Sequence, residues 1–150
     1  MKPDPPMVLR GIGQTLATRV LPELRTPFGF QTVGLAAGIL NMVAQEYDRA
    51  AARLVEENDV LRQLFSDAVE VVEDSNLRAR LRGAADESPA RDYRVSTLQA
   101  ENDALRALLI ELHAAVERQT GGTARELNER IWDELLESTR RRHVQSGLAG

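Results

Sequence analysis

The chain has no cysteine. That removes disulfides, thiolate nucleophiles and zinc–cysteine sites together, and it fits a reducing compartment, so the expected location is the cytoplasm. Aromatic residues are nearly absent as well, with three Phe, two Tyr and one Trp in 150 residues. A thick globular core is therefore not expected, and thin helix packing filled by Leu, Ala and Val is. Lysine is missing except for Lys2, all other basic residues being arginine. The net charge of −4 lacks the basic excess that phosphate neutralisation demands of a duplex-binding domain, so nucleic acid is disfavoured as a partner. No convincing strand pattern occurs, and the first six residues, Met-Lys-Pro-Asp-Pro-Pro, contain no apolar leader. The longest apolar stretch, 33–44 with Asn41 inside it, is too short to span a bilayer, and no membrane association is expected.

What the chain does have is a repeat. Leu54-Val55-Glu56-Glu57-Asn58-Asp59-Val60-Leu61-Arg62 returns 44 positions later as Leu98-Gln99-Ala100-Glu101-Asn102-Asp103-Ala104-Leu105-Arg106. Over 54–73 and 98–117, nine of twenty aligned positions are identical. Two copies are too few for a solenoid, which needs about three.

Both copies sit on seven-residue apolar periodicities. With Phe30, Ala37, Ala44, Ala51, Asn58, Phe65 and Val72 at position a, position d reads Val33, Leu40, Tyr47, Leu54, Leu61 and Ala68. The second copy has Val95, Asn102, Leu109 and Val116 at a, and Leu98, Leu105 and Leu112 at d. These are coiled-coil-like seams. Reading stops and caps around them predicts an extended N-terminus at 1–6, a single helical domain over 7–143, and a flexible tail at 144–150. Within that domain, helices are expected at about 7–21, 30–73, 75–82, 89–119 and 123–142. Gly83 is expected to end the third, Ser88-Pro89 to open the fourth, and the capping box Thr123-Ala124-Arg125-Glu126 to open the fifth. The expected architecture is all-α: an elongated antiparallel hairpin made from the two repeats, with additional packing helices at the N- and C-terminus.

In such a hairpin Asn58 and Asn102 fall at one level and should face each other. A buried amide at an a position weakens the seam but fixes register, because a slipped pairing strands its hydrogen-bonding groups. Glu57 and Glu101 flank the asparagines at g, and the hairpin would bring them together as a quasi-symmetric cluster of two amides and two carboxylates. A cation there is disfavoured, because the Glu-x-x-His ligand pattern of helical-bundle metal sites is missing. His113 and Glu117 stand one turn apart without a nucleophile or a third orienting group, so no catalytic constellation is visible. Gly34-x-x-x-Gly38 permits close helix approach and implies nothing more. The run Arg140-Arg141-Arg142 reads as charge complementing a helix end.

A second apolar stripe, Leu35, Ile39 and Met42, lies away from the first seam and follows Phe28 and Phe30 in the preceding turn. Trp132 adds either packing for the last helix or an anchor for a partner. These six residues form the candidate partner interface. The expected function is a non-catalytic protein–protein interaction module, a small structural or accessory subunit of a cytoplasmic complex or a homo-oligomer, with no cofactor and no metal. Two rivals are a dimeric zipper-like regulatory protein, each repeat pairing with its copy in a second chain, and a helical-bundle metal-binding or enzyme subunit.

Overall fold

In a computed structural model, residues 4–89 and 91–143 are described. The expected tail at 144–150 and the first three residues of the expected extended N-terminus lie outside them. The protein is all-α: α1 (Pro5–Thr15), α2 (Pro27–Ala68), α3 (Ser75–Asp86), α4 (Val95–Val116) and α5 (Gly122–Arg141). The described residues form two compact units, one of 4–50 with His143 and the other of 51–142.

In the first unit, Asp4 rather than Pro6 is the last residue before α1. Pro5 and Pro6 occupy its first turn, where the missing proline N–H has no intrahelical partner to lose, so they start the helix instead of extending the chain. The regular helix stops at Thr15, six residues before the expected end. It widens into a π-turn over Leu16–Val20 and tightens into a 3-10 turn over Leu21–Glu23. Pro22 accounts for the change, because in an α-turn its ring would strike the carbonyl of Thr18. The first part of α2 runs antiparallel to α1. A Cβ on Gly13 would sit 3.3 Å from the carbonyl oxygen of Ala37, so the two helices touch at backbone distance there. Further along, Arg10 pairs with Asp48 at 3.1 Å.

The second unit holds the core. Leu61, Phe65, Val72, Leu81, Leu112, Val116 and Ile131 are fully or almost fully buried, drawn from every helix of the unit. Burying each contributes about 1.5–3 kcal/mol. Of the expected heptad positions on α2 and α4, Leu54, Leu61, Leu98, Leu105 and Leu112 are buried, whereas Phe30, Tyr47 and Val95 are exposed.

The course of the chain between the repeats differs from the expected hairpin. α2 ends at Ala68 instead of 73, and the Asp74 carboxylate caps α3 by accepting from the N–H groups of Asn76 at 2.8 Å and Leu77 at 3.0 Å. Gly83 does not end α3. It lies inside the helix with ordinary backbone angles, and the helix continues to Asp86. Nor does Ser88-Pro89 open α4. The Asp92 carboxylate binds the Arg94 N–H at 3.0 Å and the Thr97 hydroxyl at 3.1 Å, which sets the start at Val95. Its hydrogen bonds from Arg94 pull the Asp92 carboxyl down to about 2. α3 is therefore a full return stroke that packs antiparallel on α4, with Arg80 bonded twice to Glu111 at 2.6 and 2.7 Å. Coming back along α3 places α4 parallel to α2. Asn58 lies beside Asn102, and Glu73, in the turn that follows α2, shares a cleft with Ala115 and Gln119 at the end of α4. The antiparallel hairpin is thus replaced by a parallel pair with a helical crossover.

α5 then runs antiparallel to α2, with Arg130 on Asp67 at 2.5 Å near one end and Arg142 on Glu57 at 2.6 Å near the other. It begins one residue before the expected capping box, and no side chain caps it. Gly121 takes φ 137°, a left-handed conformation that glycine adopts without Cβ strain.

Candidate functional site

The parallel arrangement puts the two repeats in the same phase. Equivalent residues therefore meet, and the a-position asparagines bond directly: the Asn102 amide donates to Asn58 Oδ1 at 2.8 Å, and the Asn58 amide donates to the Leu98 carbonyl at 3.3 Å. Both side chains are buried. On either side, the g-position glutamate of one repeat meets the e-position arginine of the other. Arg106 reaches Glu57 at 3.4 Å, and Arg62 donates to Glu101. A parallel two-stranded seam produces this cross-pairing, in which g reaches the following e of its neighbour.

Glu57 and Glu101 do not form the expected joint cluster. They occupy opposite sides of the asparagine pair, and each carboxylate is matched by guanidinium. Glu57 is fully buried and accepts from Arg142 at 3.1 and 2.6 Å and from Arg53 at 3.3 Å, besides its pairing with Arg106. Burial pushes its carboxyl up, but the hydrogen bonds and charge of Arg142, the charge of Arg106 and the Arg53 bond outweigh it. They hold the group below its ordinary value of 4.5. Arg106 also donates to Asn102 Oδ1 at 3.1 Å and to the Ser138 hydroxyl, which fastens α5 to the pair. Next to this network Glu134 is buried against Arg141 at 2.7 Å. Here burial outweighs the attraction of Arg141, and the carboxyl is raised.

Arg53, Ser138 and Glu134 were not singled out from sequence, and Arg106 stood there only as part of the repeat. The Glu57–Arg106 partnership was legible, as a g-to-e pair, only to a parallel reading. Arg142 carried a weaker sign, as the last of a basic run, and its role is a specific bond across 85 positions rather than general charge at a helix end.

The candidate interface residues lie elsewhere. Phe28, Phe30, Leu35, Ile39 and Met42 are all exposed on the first part of α2, Phe28 to 80% and Leu35 to 61%. Between Arg25 and Glu46 that segment carries no charged residue. By length and composition α2 is also apolar enough to cross a bilayer, and only 11% of its most apolar 18-residue window is buried. Trp132 belongs to the second unit. It sits on α5 with its ring edge-on to His113, centroids 5.1 Å apart, and remains half exposed. His113 and Glu117 stand 3.5 Å apart.

Comparison with protein-family models, curated proteins and solved structures finds no match. Among the described residues, no group of three or more His, Asp or Glu side chains is placed to hold a metal ion. The chemistry assembled around Glu57 is ion pairing and amide hydrogen bonding. One buried carboxylate there faces three guanidinium groups, those of Arg53, Arg106 and Arg142.

Proposed function

We propose that this protein is a non-catalytic protein–protein interaction module, in which the second unit is a rigid, internally registered bundle and the first part of α2 is the surface that a partner or a second copy covers. The observation that carries this reading is the uncharged stretch of α2, where Phe28, Leu35, Ile39 and Met42 stand in water. Soluble proteins seldom leave so many large apolar side chains contiguous without a use for them. Covering the exposed part of each would contribute on the order of 1 kcal/mol, enough in sum to drive association before the entropic cost of binding is met.

Light scattering on the purified chain tests it. A mass above the 16.6 kDa of one chain is expected, returning to 16.6 kDa when Leu35, Ile39 and Met42 are replaced by serine. An unchanged mass in the triple variant, with helicity retained, would refute the assignment of this face.

A second reading has one observation in its favour. The length, composition and low burial of α2 also suit a lipid surface or bilayer. Flotation with phosphatidylcholine vesicles separates the two, since a protein-docking face leaves the chain at the bottom of the gradient.

A further inference from the structure

The parallel pairing gives the second unit a local quasi-two-fold relation that the rest of the unit breaks. Glu57 with Arg106 on one side corresponds to Glu101 with Arg62 on the other. The first side is completed by the end of α5. Its Ser138 hydroxyl accepts from Arg106, and its Arg142 guanidinium donates twice to Glu57.

The second side lacks both contributions. Arg62 is only 7% exposed, yet its Nε and Nη1 have no hydrogen-bond partner among the described residues, whereas the equivalent Nε of Arg106 donates to Asn102 at 3.1 Å. Both unpartnered atoms belong to a side chain that lines two adjoining clefts, of about 330 and 210 Å³, and Glu101 lines both clefts with it. The walls are largely apolar, with Leu105 and Leu108 in the larger cleft and Val55 and Leu98 in the smaller, and the exposed ring of Tyr93 stands at the rim. The charged groups facing these spaces are Arg62 against Glu101, Asp59 and Glu87, an acidic balance.

We propose that these clefts form a docking site for the arginine-bearing C-terminal end of a helix from another protein. Its guanidinium pairs with Glu101, and a terminal carbonyl or hydroxyl accepts from Arg62. A helix C-terminus offers both groups at once, because its last carbonyls lack intrahelical donors and basic residues favour its last turn. The mode of binding is the one α5 already adopts on the corresponding side, and the acidic balance selects a basic ligand. This site is independent of the apolar face on α2.

The probe is a fluorescent, C-terminally amidated peptide with the sequence of residues 130–142, titrated into the full-length protein by anisotropy. Saturable binding is expected, weakened at least tenfold by Glu101→Gln and by exchanging the last arginine of the peptide for glutamine. A few-fold weakening by Tyr93→Ala supplies a variant that leaves the buried ion pair intact. A photo-reactive group on the peptide should crosslink to the 87–101 segment. No binding at millimolar peptide, binding indifferent to both Glu101→Gln and Tyr93→Ala, or crosslinks confined to 53–57, as when the peptide merely displaces α5, would each overturn the proposal. Loss of self-association in the Leu35, Ile39 and Met42 variant leaves these outcomes unchanged, so the two readings fail separately.

Discussion

Replacing the two asparagines one at a time and together should reveal their dependence on each other. Asn102→Val removes the donor to Asn58 Oδ1 at 2.8 Å and the acceptor of Arg106 and Arg142 at 3.1 and 3.2 Å. Both arginines keep Glu57, so the main orphan is the buried Oδ1 of Asn58, at a cost of about 1–3 kcal/mol. The added apolar burial of valine offsets about 1 kcal/mol of that, leaving a net loss of about 2 kcal/mol. Asn58→Val is milder, about 1 kcal/mol, because the Asn102 amide still reaches Glu57 at 3.4 Å. In the double variant no amide is stranded and β-branched residues occupy both a positions, a choice that suits a parallel pair. It should be more stable than the sum of the single losses predicts, by at least about 1 kcal/mol. Urea denaturation followed by circular dichroism and by the single tryptophan, Trp132, measures all four proteins. Additivity within about 0.5 kcal/mol would refute the reasoning, since the asparagines would then not be exchanging their hydrogen bond.

The acid limb of stability should depend on Glu57. Its folded-state pKa lies below the unfolded value of 4.5, so its contribution is present above about that pH and is lost as pH falls through the folded value. Glu57→Gln should lower stability at neutral pH and flatten the decline of urea midpoints below pH 4.5; an unaltered slope would exclude Glu57 as its source. Glu134, whose carboxyl is raised, works in the opposite sense: its contribution is present below 4.5 and lost as pH rises through its folded value. The glycines of α1 should respond in opposite directions. Gly11 has open space around it, so Gly11→Ala should slow amide exchange in α1 by about 0.5–1 kcal/mol, while Gly13→Leu should speed it by forcing α1 away from the Ala37 carbonyl. Equal effects at the two positions would contradict the close approach.

Sequence alone determined the helices, the buried a and d residues of the second unit, and the meeting of Asn58 with Asn102, because periodicity and repetition are local and survive without coordinates. It also marked the stripe at Leu35, Ile39 and Met42, which remains exposed. The direction of the pairing was decided by tertiary structure. An antiparallel hairpin of suitable length and a parallel pair in phase both bring equivalent asparagines level, so the repeat cannot distinguish them. The distinction lay in α3. Gly83 looked like a stop, but its modest cost inside a helix is offset by Ala84 and Ala85 beyond it packing against the core, and the lengthened helix carries the chain back before α4 begins. That reversal gives each glutamate the arginine of the other repeat as its partner. Only the packing of α5 then brings Arg142 to Glu57, while Glu101 pairs with Arg62, because a bond between positions so far apart depends on how helices stack and has no signature in local spacing.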